Sequence, residues 1–134
     1  MSPQIETERL TAEIEYLARI SDTPYPSVTR VLFSSVDLQA REWLKLLYAD
    51  AGLVVREDAV GNTFARWPGT DPAAPPVATG SHIDAIPNAG RFDGVVGVLG
   101  GLVALLPTLS ASVLTLTDLP DELARKLPRY PQLP

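Results

Sequence analysis

Between Val95 and Thr117 the chain runs for 23 residues without a charged side chain, and no other feature limits its possible folds as much. A helix of about 20 apolar residues crosses a bilayer, so the run has the length of a membrane segment. Its content argues otherwise. Pro107 interrupts it, glycines stand at 94, 97, 100 and 101, and serine and threonine accumulate after Pro107. The reading that fits is a buried helix over 94–106. Such a helix needs an apolar partner, and Val77 to Ser81 supplies one if it is a strand buried on both faces with the helix packed on it. Strand, loop and helix in that order make the unit of an α/β fold, in which ligands sit beyond the carboxyl ends of strands.

The loop between those two elements holds the residues with chemistry. His82 is the only histidine of the chain, and Asp84 follows at a spacing that puts both side chains on one face of an extended segment. A metal-binding imidazole is commonly held this way, with one ring nitrogen on the ion and the other N–H donated to a carboxylate. Asp93, between Phe92 and Gly94, stands at the predicted start of the helix, where free N–H groups and the helix dipole favour an ionised carboxylate. Pro87, Asn88, Ala89 and Gly90 read as a turn that folds Asp93 back toward His82. On spacing alone the alternative stays open: a lone histidine beside an aspartate is also an ordinary surface pair, and bound metals normally take three or four protein ligands.

The wording of the stretch narrows the choice. Gly80-Ser81-His82-Ile83-Asp84-Ala85-Ile86-Pro87, followed by Gly90-Arg91-Phe92-Asp93-Gly94-Val95-Val96-Gly97, resembles the first metal-binding segment of the M20 metallopeptidase superfamily. It is most similar to the hydantoinase/carbamoylase branch, which includes N-carbamoyl-amino-acid, allantoate and ureidoglycolate amidohydrolases. Ser27-Val28-Thr29-Arg30, Ala51-Gly52-Leu53 and Arg56-Glu57-Asp58-Ala59-Val60-Gly61-Asn62 resemble the same branch in the same order, so the likeness covers about residues 5–106.

That resemblance implies an α/β fold, here part of a three-layer αβα catalytic domain truncated to its amino-terminal piece. It implies two cations, Zn²⁺ or Mn²⁺, with His82 on one, Asp93 bridging both, and Asp84 serving catalysis by orienting His82. The substrate class implied is a linear ureide or an N-carbamoyl amino acid, hydrolysed at a carbon–nitrogen bond. Complete relatives are about three times longer and homodimeric, and carry a Glu-Glu pair and a distal histidine. This chain offers no counterpart to them, so the expectation is descent from an amidohydrolase with no activity in the piece itself. The other reading is a non-catalytic truncated or fused product, or a small interaction module. Residues 107–134 are read as a divergent tail, fused or frameshifted. It resembles, over a short span, a segment of GNAT-type acetyltransferases, with one helix over Asp118 to Leu127.

Charge and composition agree with a small-molecule site. Eleven basic against sixteen acidic residues, net −5, leave no basic surface for nucleic acid or an anionic membrane. The absence of cysteine removes disulfides and thiolate ligands. The first residues lack the basic and apolar regions of a secretory leader, and the location expected is cytoplasmic.

Along the rest of the chain, Pro3 to Ile20 reads as a helix with Leu10, Ile14 and Leu17 inward and Glu6, Glu8, Glu13 and Glu15 solvated. Pro24 and Pro26 make Ser21 to Arg30 an irregular loop, in which Thr29 and Arg30 either anchor the loop or face the active-site mouth. Val36 to Ala51 is an amphipathic helix with Ala40, Leu44, Leu47, Tyr48 and Ala51 inward, capped by Ser34 or Ser35 and ended by Gly52. Leu53 to Glu57 and Asn62 to Trp67 form a hairpin whose turn uses positive φ at Gly61. Pro68 to Pro76, with four prolines, is a surface connector.

Overall fold

The computed structural model describes residues 5–106. The tail over 107–134, with its predicted helix and its acetyltransferase likeness, lies outside the described residues. Helices and strands alternate as α1 (Thr7–Arg19), β1 (Val28–Arg30), α2 (Ser35–Asp50), β2 (Val54–Glu57), β3 (Thr63–Arg66), β4 (Ala85–Ala89) and α3 (Val95–Leu105). The described strands form two antiparallel pairs, β1 with β4 and β2 with β3. This is a partial α/β domain, as the sequence implies.

One core joins the three helices. Ile14, Tyr16 and Leu17 of α1 meet Ala40, Trp43, Leu44 and Leu47 of α2 and Val95, Leu99 and Leu102 of α3, with Ile83 closing the cluster from the site segment. The apolar spacing on each helix puts these side chains on one face, and burial of a Leu or Trp there contributes about 1.5–3 kcal/mol each. Tyr16 and Trp43 lie with ring centroids 5.0 Å apart at the centre of the α1–α2 contact.

Helix α2 starts where its sequence says it should. Ser34 is the N-cap, its Oγ accepting from the Asp37 amide at 3.3 Å, while Asp37 Oδ2 reaches back to the Phe33 amide at 2.9 Å, a reciprocal arrangement that satisfies two orphan donors. Gly52 ends it with φ +75°. The hairpin pairs Val54 with Arg66 through to Glu57 with Thr63. Its turn is fixed by Asp58, whose carboxylate accepts from the Val60 and Asn62 amides at 3.1 and 2.8 Å. Gly61 there takes φ +86°, with the Phe33 ring where a Cβ would stand.

Four expectations need correction. Val77 to Ser81 is neither a ladder-bonded strand nor buried: all five residues are exposed, and no described strand lies beside them to pair with. The strand lies further on, at Ala85–Ala89, across what the sequence marked as a turn. Its partner β1 lies inside the expected Ser21-to-Arg30 loop, because Thr29 and Arg30 find acceptors and donors across the chain that local composition does not reveal. Asn88 keeps the turn-like character in a strand, with φ +57°, its amide held by Thr29 Oγ1 at 2.9 Å. Last, Glu13 is not solvated but 1% exposed, its Oε1 bonded to Arg9 Nε at 2.8 Å.

Candidate functional site

The site segment, residues 79–84, belongs to no strand, so something other than a sheet must hold it. On one side it lies on α3. A Cβ added at Gly97 would stand 2.7 Å from Ser81 Cβ, one at Gly101 would stand 3.1 Å from Thr79 Cγ2, and one at Gly94 would meet the His82 carbonyl and ring. Positions 94, 97 and 101 share a helix face, so a stripe of glycines lets the backbone of residues 79–82 approach the helix more closely than any side chain would allow. The predicted packing of helix on site segment therefore holds, although the segment is not a buried strand. Gly94 takes φ +67° as the N-cap of α3, a conformation that favours glycine.

On the other side the segment is tied to Arg30. Arg30 is the last residue of β1, 1% exposed, and its Nε donates to the Ile83 carbonyl at 2.7 Å. Its Nη1 donates to the carbonyls of Leu17 and Ile20, at 2.9 and 2.7 Å, at the end of α1. Burial pushes this guanidinium below its ordinary value, while Asp37 and Asp84 act in the opposite direction. Of the two roles the sequence left open for Arg30, the structure shows anchoring.

His82 and Asp84 are brought together as predicted. His82 Nδ1 lies 3.1 Å from Asp84 Oδ1 and 3.2 Å from the Asp84 backbone oxygen. A carbonyl and a carboxylate oxygen are both acceptors, so the tautomer that satisfies the two contacts is the one with the proton on Nδ1. Both side chains remain about half exposed. The ring lies over Gly94, the residue after Asp93. Asp93 is exposed at the start of α3, its carbonyl accepting from the Val95 amide at 2.7 Å. Arg91 holds the approach to it, its Nε donating to Glu15 Oε1 of α1 at 2.7 Å.

Whether these residues suit a metal can be judged from their chemistry. The His82–Asp84 pair has the form of one corner of a metal site, an imidazole oriented by a carboxylate. Among the described residues, however, no group of three or more His, Cys, Asp or Glu side chains gathers as a cage would require. Sequence reasoning found the pair and missed its supports. The glycine spacing 94, 97, 101 is legible as a helix face, whereas nothing local marks Arg30 as buried.

Over the matched residues this partial α/β domain is similar in fold to a hydantoinase/carbamoylase family amidase and homologous in sequence to the amidohydrolases of that group. Ureidoglycolate hydrolase of Arabidopsis thaliana is 55% identical over 104 residues, which is 78% of this chain and 22% of that protein. N-carbamoyl-L-amino-acid amidohydrolase of Paenarthrobacter aurescens is 44% identical over 99 residues, 74% of this chain and 24% of that one. The crystal structure of a hydantoinase/carbamoylase family amidase from Burkholderia ambifaria matches with a TM-score of 0.76 at 42% identity, covering 81% of this chain and 27% of that chain. The chain thus spans about a quarter of the length of these relatives. No protein-family model matches it.

Proposed function

We propose that residues 5–106 are the part of a metal-dependent amidohydrolase that supplies its first metal-binding segment, and that the substrate class is a linear ureide of the ureidoglycolate type. The observation that carries this reading is the half-exposed His82–Asp84 pair, with Nδ1 3.1 Å from Asp84 Oδ1, inside a stretch more similar to a ureidoglycolate hydrolase than to an N-carbamoyl-amino-acid amidohydrolase, 55% against 44% identical. His82 would hold the ion through Nε2, Asp93 would supply a carboxylate from the start of α3, and Asp84 would fix the tautomer. Bound Zn²⁺ or Mn²⁺ supplies Lewis acidity toward a carbonyl and a lowered pKa for water. The chain's own contribution is orientation: α3 and the Arg30 clamp fix the backbone that carries the imidazole.

The same ligand count argues that this polypeptide does not turn over by itself. A hydrolytic metal site needs about three protein ligands plus an open position, and general acid–base help, worth ~10²–10⁴ in rate, needs a positioned glutamate that the described residues do not bring to His82. The test is ammonia release from ureidoglycolate, allantoate and N-carbamoyl amino acids by the full chain with excess Mn²⁺ or Zn²⁺. The expected result is no turnover, with weak metal binding that His82→Ala abolishes. Metal-dependent turnover lost on His82→Ala would overturn the inactivity, and metal binding indifferent to His82→Ala would overturn the site.

A further inference from the structure

A buried guanidinium is costly unless its donors are met, and a carboxylate usually meets them. Arg30 is different. It is 1% exposed, yet its guanidinium donates to three main-chain carbonyls: Leu17 and Ile20 at the end of α1, and Ile83. The first two belong to the negative end of a helix dipole, where a cation is favoured. The third lies between His82 and Asp84. Ile83 is also the residue of the 82–84 stretch that enters the core, so its side chain and its carbonyl are both fixed while its two neighbours project outward.

We infer that Arg30 is a positioning residue for the His82–Asp84 pair: by bridging the end of α1 to the Ile83 carbonyl, its guanidinium sets the backbone from which the imidazole and the carboxylate meet. The inference rests on the proposed function only in treating that pair as metal-facing. The geometry of the bridge stands without it. The planar fork is essential to the bridge, because Nε serves one end and Nη1 the other. A lysine ammonium is a single point donor and cannot hold both ends in the same geometry.

Because His82 is the only histidine, its ring nitrogens give unambiguous ¹⁵N signals in the full chain, and their coupling pattern reports which nitrogen carries the proton. Asp84→Asn, which removes the carboxylate charge beside the ring while leaving the Arg30 side chain and its bond to the Ile83 carbonyl in place, supplies the reference spectrum of a ring without its carboxylate partner. Leu53→Ala, in the core at 6% exposure beside the hairpin and away from α3, controls for loss of stability. The expected result is an Nδ1-protonated ring in the native chain and in Leu53→Ala. In Arg30→Lys the signals should move at least halfway to the Asp84→Asn position. A native His82 spectrum in Arg30→Lys would overturn the inference, as would an equal displacement in Leu53→Ala. Failure of the metal reading is distinguishable, since it would leave these tautomer results unchanged and appear as a His82 signal silent to added Zn²⁺.

Discussion

Two stretches of this molecule are held by different means. In the β2–β3 hairpin, four consecutive pairs from Val54–Arg66 to Glu57–Thr63 share a backbone ladder, and Asp58 and Gly61 set the turn. The segment from Thr79 to Asp84 belongs to no strand and is placed by close approach to the α3 glycines and by the Arg30 bond to Ile83. A ladder spreads its support over many bonds, so single side chains on it are replaceable. A segment held by one cation and a bare helix face depends on a few positions, and those positions also aim His82.

That contrast can be broken most sharply at the glycine face. Gly97→Ala puts a methyl where Ser81 Cβ lies 2.7 Å away, and the clash can be relieved only by moving the site segment or the helix. We expect a loss of about 1–3 kcal/mol in denaturant unfolding, with the His82 resonances displaced. Gly100→Ala, on the same helix with nothing within 4 Å of the new Cβ, should instead gain about 0.5–1 kcal/mol from helix propensity and leave His82 alone. Equal effects from both would mean that the segment does not rest on that face.

A smaller effect separates the buried face of α1 from the solvated hairpin. Burial raises the Glu13 carboxyl above its ordinary 4.5, with Arg9 opposing. A group whose pKa is raised by folding binds more protons in the folded state, so its favourable contribution is complete below 4.5 and is lost as pH rises through the raised value. Asp58 in the hairpin turn has the opposite sign, lowered by its hydrogen bonds from the Asn62 side chain and amide, and its contribution is lost as pH falls. Thermal unfolding of the native chain and Glu13→Gln across pH 4 to 8 should therefore show the native chain losing ground to the variant as pH rises above 4.5. A flat difference would mean that folding leaves the Glu13 carboxyl as water does, and one that runs the other way would mean that Arg9 outweighs burial.

The same division governs what could be read from the residues. The hairpin, the Ser34 cap and the Gly52 terminus are set by neighbours within a few positions, and each appears where the sequence marks it. The His82–Asp84 contact appears because it needs only a two-residue spacing. Strand identity at Val77 to Ser81 depends on a partner strand, and apolar composition says nothing about whether one is present. Burial of Glu13 and Arg30 depends on contacts with Arg9 and with the Ile83 carbonyl. The second of these lies 53 residues away, beyond the reach of any local pattern.

The account stands or falls on whether His82 and Asp93 act on one ion. The direct measurement is a Zn²⁺ titration of the full chain followed through the single imidazole, repeated on Asp93→Ala. The account predicts that Nε2 shifts with added Zn²⁺ while Nδ1 keeps its proton, and that Asp93→Ala weakens the response severalfold without changing the tautomer of the metal-free ring. An imidazole that ignores Zn²⁺, or one that responds identically in the native chain and in Asp93→Ala, would contradict it.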